Sequence, residues 1–245
     1  MAKNLNQSKG VVLQTHRGRN VVLVDGVERF CAKSKKIGKA SIVPGDQVLV
    51  TVYEGLSRIE KLLDRKTVLR RTQDDTKTIE KIIAANCTNL ALVVSTTSPE
   101  PQPNFVARVL KLAEYEGVEP LIIWTKTDLS SVPELGGIDP ATSAGKEDSI
   151  FPAFIAGPVL QFDTHTQLDD LSNFLGDKST AFLGLSGVGK STLINKLLPN
   201  ANRKTGDTSA NGDGKHTSTS SQAFEYRGGL IIDTPGVRSF GLGHI

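Results

Sequence analysis

Gly184-Leu185-Ser186-Gly187-Val188-Gly189-Lys190-Ser191 is the stretch on which the fold turns. It has the spacing G-x-x-x-x-G-K-[ST], and its flanks are those the spacing requires. Ala181-Phe182-Leu183 reads as a strand entering it, and Leu193, Ile194, Leu197 and Leu198 fall on one side of a helix leaving it. A strand, a glycine loop and a helix start in that order bring backbone N–H groups together at the positive end of the helix dipole, a ready cradle for phosphate oxygens. Gly184, Ser186, Gly187, Val188, Gly189 and Thr192 are the expected cradle residues. Lys190 is expected to reach the outer phosphates, and the Ser191 hydroxyl to ligate Mg²⁺.

Working outward, two more segments end apolar runs. Asp233-Thr234-Pro235-Gly236 follows Leu230-Ile231-Ile232 and has the D-x-x-G form, in which Asp233 holds Mg²⁺ through water and the Gly236 N–H senses a γ-phosphate. Taken alone, D-T-P-G is also common turn chemistry. Thr125-Lys126-Thr127-Asp128 follows Leu121-Ile122-Ile123-Trp124 and has the [NT]-K-x-D form of a guanine reader. There Asp128 accepts from the base N1–H and N2–H₂ while the Lys126 stem packs over the ring. Three such motifs at strand C-termini, where open α/β sheets bind ligands, favour GTP over ATP. The order is unusual. In an ordinary P-loop GTPase the guanine reader comes last, and here it precedes Gly184, as a circular permutation would produce.

The rest of this half alternates strand and helix. Leu90 to Ser95, Pro158 to Phe162 and Gln222 to Tyr226 read as further strands. Phe105, Val106, Val109, Leu110 and Ala113 repeat at helical spacing behind a cap at Asn104, with a stop at Gly117. That is an α/β series with a mostly parallel sheet covered on both faces. Residues 129–149 and 200–221, polar and rich in Gly, Ser and Asp, read as mobile loops.

The N-terminal part has a different texture. Val11-Val12-Leu13, Asn20 to Val24, Val27 to Cys31 and Gln47 to Tyr53 are short β-type runs, with Asp25-Gly26 as a hairpin signal. Four or five strands between Gly10 and about Ile59 suit a small all-β barrel of the OB type. Lys33 to Lys39 would be an exposed basic loop of it. The expected domains are 1–72, the barrel with its basic link Arg65 to Arg71, and 73–245, the permuted nucleotide domain.

Charge divides the same way. Residues 1–72 hold 15 Lys and Arg against 6 Asp and Glu, a net of +9, whereas the remainder nets −6 and the whole chain only +3. Such asymmetry fits a nucleic-acid-facing module joined to one with another task, although a solvated basic surface is the plain alternative. Aromatics for base stacking are scarce in the barrel, Phe30 and Tyr53 alone, so backbone and shape contacts are expected to dominate. The 38% hydrophobic and 22% charged composition excludes collagen, coiled coil and wholesale disorder. Cys31 and Cys87 lie too far apart for a C-x-x-C, so neither a disulfide framework nor a four-cysteine zinc site is expected. No apolar run approaches the ~18–20 residues of a membrane span, and the first residues lack a signal-peptide core, which points to a soluble intracellular protein.

These features, together with Ala84-Ala85-Asn86, Ser98-Pro99-Glu100-Pro101, Gly214-Lys215-His216-Thr217-Ser218-Thr219 and Asp233-Thr234-Pro235-Gly236-Val237-Arg238-Ser239-Phe240-Gly241, resemble the RsgA family from Gly10 to Leu242. That resemblance implies a circularly permuted GTPase active in small ribosomal subunit maturation, stimulated by the subunit, with the OB domain on rRNA. It implies a cytoplasmic monomer away from membranes, or an organellar stroma or matrix protein in a eukaryote. It implies a catalytic role for His216 beside Lys190, because Val237 stands where many GTPases have a water-orienting Gln, and a switch hydroxyl for Mg²⁺ from Thr217 or Thr219. The guanine-supporting Ser-Ala segment is replaced: Asp163-Thr164 is the expected equivalent, with Ser143-Ala144 having the right letters in another place. Family members usually continue into a zinc-binding helical domain, for which these residues hold no ligands. Two other readings remain to be tested: a GTP-dependent RNA-binding scaffold with little hydrolysis, and an ATP-using P-loop enzyme.

Overall fold

The computed structural model describes residues 7–72, 80–132, 159–163, 165, 168–199 and 221–236. Strands β1 (Gln7–His16), β2 (Arg19–Val24), β3 (Val27–Lys33), β4 (Gln47–Thr51) and β5 (Ser57–Leu62) close on themselves in the order β1-β2-β3-β5-β4-β1. All ladders are antiparallel except β3 with β5. This is the expected OB-type barrel. Val12, Val22, Val24, Cys31, Val48, Val50 and Ile59 fill its interior, because alternate strand residues face one side. Asp25 and Gly26 both take positive φ, 51° and 74°, as a tight primed turn between β2 and β3 demands. The basic stretch after β3 forms a short 3₁₀ turn at Lys35–Ile37, capped by the Ser34 hydroxyl accepting from Lys36 N–H.

Beyond the barrel, β6 (Val68–Arg71) pairs with β7 (Lys81–Ala85) as a separate antiparallel ribbon. The main sheet contains β8 (Asn89–Ser95), β9 (Glu119–Thr125), β10 (Val159–Phe162), β11 (Ser179–Gly184), β12 (Gln222–Tyr226) and β13 (Gly229–Asp233), ordered β10-β9-β8-β11-β13-β12. All are parallel except β12. Helices are α1 (Pro103–Glu116), α2 (Asp169–Leu175) and α3 (Lys190–Leu197). The cap of α1 is Gln102 rather than Asn104: Pro103 opens the helix, where its fixed φ and missing N–H cost nothing. Gly117 ends it in the left-handed region, φ 65°, donating to Ala113 and Glu114 carbonyls.

Side-chain alternation gives the sheet two buried faces. Ala91, Val93, Leu121, Ile123, Phe182 and Ile231 pack under α2 and α3. Leu90, Leu92, Val94, Ile122, Trp124 and Ile232 face α1, the β6–β7 ribbon and the outer wall of the barrel, where Leu13 and Val21 join the same core. Hydrogen bonds stitch this seam. Ala85 N–H donates to Pro44 O (3.0 Å), Asn86 Nδ2 to Gly45 O (2.9 Å), and Lys66 N–H to Asn86 Oδ1 (2.8 Å). Next to them the wholly buried Asp46 carboxylate accepts from Arg65 Nε and Nη2 and from Val43 N–H, fixing the β3–β4 loop to the basic link.

Candidate functional site

The parallel strands β8, β9, β10, β11 and β13 deliver their C-termini to one edge of the sheet, and the three motifs sit there. The loop after β11 is shaped by glycine. A Cβ on Gly184 would stand 2.8 Å from the Val93 carbonyl, and Gly187 and Gly189 hold φ of 85° and 94°, which leaves the loop open toward the start of α3. Lys190 is buried at that start, with its Nζ on the Asp233 carboxylate from the end of β13. Ser191 and Thr192 are exposed beside it. Gly236 lies against the loop so closely that a Cβ would come 3.2 Å from Ser186 Cα.

From the other side Thr125, at the end of β9, is buried with its hydroxyl donating between the carbonyls of Val188 and Val94, the latter at 3.1 Å. Lys126 follows with φ 61° and donates from Nζ to Ser98 O, while its own carbonyl accepts from Thr96 Oγ1 (2.7 Å). Asp128 is exposed on the turn closed by Leu129 N–H to Lys126 O. Asp163, one residue past β10, accepts from Thr127 Oγ1 (3.4 Å) and from His165 N–H (2.7 Å). So Gly184 to Thr192, Asp233, Gly236, Thr125 to Asp128 and Asp163 share one sheet edge. Thr164, Ser143, Ala144, His216, Thr217, Thr219 and Val237, together with nearly all of the two loops read as mobile, lie outside the described residues.

A contribution that sequence reading does not isolate is the polar run Ser95-Thr96-Thr97-Ser98 at the end of β8, whose Thr96 and Ser98 hold Lys126 at its backbone and its side chain. Its only signal is three hydroxyl residues following a wholly buried strand that itself ends in Ser95.

A family model described as RsgA GTPase matches residues 62–243. This chain belongs to the RsgA GTPase family. Among similar RsgA sequences, the small ribosomal subunit biogenesis GTPase RsgA of Pseudomonas aeruginosa (strain LESB58) is 35% identical over 210 residues, 84% of this chain and 59% of that protein. That of Pseudomonas syringae pv. syringae (strain B728a) is 35% identical over 210 residues, 84% of this chain and 58% of that one. The chain thus spans somewhat over half the length of these curated relatives. Its fold is similar to the crystal structure of YjeQ from Thermotoga maritima, with TM-score 0.66 and 26% identity over 94% of this chain and 75% of that one. YloQ, described as a circularly permuted GTPase, superposes with TM-score 0.66 at 22% identity, covering 100% of this chain and 77% of that one. The motif order read from the sequence is thus that of a solved fold described as a circularly permuted GTPase.

Cys31 is inside the barrel and Cys87 in the core facing α1, and burial pushes their thiols up to about 11 and about 12, so both stay protonated and pack as small apolar groups. Among the described residues there is no group of three or more His, Cys, Asp and Glu placed to hold a metal, and no helix long and apolar enough to cross a membrane.

Proposed function

We propose that this chain is a GTP-hydrolysing switch that acts in late assembly of the small ribosomal subunit, with its barrel contacting rRNA. The observation that carries the reading is the convergence of three distant segments at one sheet edge: Lys190 on Asp233, Gly236 over Ser186, and Thr125 on the Val188 carbonyl. The relatives named as small ribosomal subunit biogenesis GTPases supply the partner, and the +9 charge of residues 1–72 suits RNA phosphates. The working division is 1–72 and 73–245, with the β6–β7 ribbon crossing between them. The chain acts as a cytoplasmic monomer, or in stroma or matrix in a eukaryote.

Each site residue has a task in this reading. Gly184, Ser186, Gly187, Val188, Gly189 and Thr192 cradle phosphates, and Lys190 leaves Asp233 to hold the outer ones. The Ser191 hydroxyl and the Asp233 carboxylate are hard oxygen donors at the same mouth, a set that fits Mg²⁺, with Thr217 as the switch hydroxyl. Bound with GTP, Mg²⁺ neutralises charge on the outer phosphates. His216 orients or deprotonates the attacking water, and Gly236 reports the γ-phosphate through its N–H. Thr125, Lys126 and Asp128 read guanine, with Asp163 and Thr164 at the supporting position. Thr125 acts by tying the reader to the phosphate loop, so that base and phosphates are held in one register.

Asp128→Asn tests the nucleotide assignment, because it replaces an acceptor of two base protons by an amide. GTP affinity is expected to fall about 100-fold, the effect of truncating a desolvated charged hydrogen bond, while xanthosine nucleotides gain. Unchanged GTP affinity, or tighter ATP than GTP binding in the parent chain, would remove the guanine reading.

A further inference from the structure

The outer wall of the barrel is divided between covered and open strands. On β1 and β2 the outward residues Leu13 and Val21 are buried in the core shared with the nucleotide sheet, and Val11 and Leu23 pack against it. The β2 half of the strand 2–3 face, the usual nucleic-acid side of an OB barrel, is therefore occupied by the chain's own second half. The parallel pair β3–β5 is open. Its inward pair Cys31 and Ser57 is buried, so Phe30, one residue earlier on β3, faces outward and is 54% exposed, and Leu56, in the bend leading into β5, is 55% exposed. Arg58, opposite Ala32, is on the same wall.

Two aromatic rings at this wall are backed by guanidinium groups. Arg19 lies 5.4 Å from the Phe30 centroid, and Arg58 lies 5.9 Å from that of Tyr53. Exposed lysines 35, 36 and 39 follow directly after β3, against Glu28, Glu54 and Glu60 nearby in the same strands and turns. A ring that keeps one face in water and a cation on the other has the form of a base-stacking platform, since every unpaired base offers a π-face and its phosphate a negative charge.

We propose that the β3–β5 wall, centred on Phe30 with its Arg19 backing, binds an unpaired RNA nucleotide by stacking, with Arg58 and the lysines of the 3₁₀ turn on the flanking phosphates. The proposal rests on the RNA-contact reading above and shifts that contact away from β2. It also departs from the sequence expectation that backbone contacts dominate, because the structure places the scarce aromatics where they are usable.

Fluorescence anisotropy of the full chain tests it with two labelled RNAs, a single-stranded oligouridine of about ten nucleotides and a blunt self-complementary duplex of similar length. Phe30→Leu keeps apolar volume and removes the ring, and is expected to weaken single-strand binding about ten-fold while leaving duplex binding and GTP affinity unchanged. Phe30→Trp is expected to bind the single strand at least as tightly as the parent. Single-strand binding by Phe30→Leu within about two-fold of the parent, or an equal loss on both RNAs, would overturn the stacking site while leaving RNA contact standing. A parent chain that binds the duplex alone would overturn the stacking site in the same way. A parent chain that binds neither RNA would overturn both this inference and the RNA-contact reading.

Discussion

Lys190→Ala is expected to abolish useful nucleotide binding, lowering GDP and GTP affinity by 100-fold or more, roughly 3 kcal/mol. Lys190 is buried at the start of α3, and in the proposed site its ammonium is the cation that the loop directs at the outer phosphates. The variant has a second consequence. The Asp233 side chain is only 9% exposed and loses the Lys190 ammonium, which takes a cation away from a nearly buried carboxylate. Thermal stability of the nucleotide-free protein should therefore drop as well. Adding Asp233→Asn should restore much of that stability, since the nearly buried negative charge is gone, without restoring affinity. Titration with a fluorescent guanine nucleotide and a thermal melt separate the two effects. Nucleotide affinity retained in Lys190→Ala would remove the phosphate-site assignment.

Gly45→Ala is expected to be the most damaging single methyl group at the seam between barrel and sheet. Gly45 sits at φ 89°, and a Cβ there would stand 2.0 Å from the Ala85 carbonyl oxygen and 3.2 Å from Ile232 Cδ1. The obstacle is backbone, so no rotamer change relieves it. The β3–β4 loop would have to lift off β7, breaking the Ala85 and Asn86 hydrogen bonds and uncovering Leu13 and Val21. Strain at positive φ plus the lost seam is expected to cost about 3–5 kcal/mol and lower Tm by about 10 °C. A Tm within about 2 °C of the parent would show that the seam does not have this closeness. Ile232 adjoins Asp233, so the variant is also expected to weaken nucleotide binding through that strand end.

Most of the nucleotide unit was legible because its signals are local. The β8, β9, β11 and β13 strands are continuous apolar runs, and the phosphate loop carries its glycines at a spacing that has few other uses. The Asp25-Gly26 turn announced a hairpin in the same way. What escaped was settled by distant partners. Strand β5 buries just Ser57 and Ile59, and a register irregularity opposite Leu49 and Val50 breaks its alternation, so its charged sequence hides a barrel strand. The β6–β7 ribbon and α2 are too short to show a period, and β6 is disguised by Arg70 and Arg71. Asn104 looked like a cap because Asn is a good one, but Pro103 had already fixed the helix start. At the site, sequence spacing singled out the Thr125 to Asp128 segment and the glycine loop separately; that the Thr125 hydroxyl fastens one to the other follows only from β9 and β11 flanking β8 at the same level. The covering of β2 by the second half of the chain has no local signature, since Val21 and Leu23 look like any strand residues.

The most direct test of the switch reading is single-turnover hydrolysis of GTP by the full chain, with and without purified small ribosomal subunits, run in parallel on His216→Ala. Slow hydrolysis accelerated at least ~10-fold by the subunits, with the acceleration lost in His216→Ala while GTP binding persists, is the expected result. Equal rates with and without subunits, or subunit binding that depends on GTP without any hydrolysis, would contradict it and leave a nucleotide-dependent RNA-binding scaffold in its place.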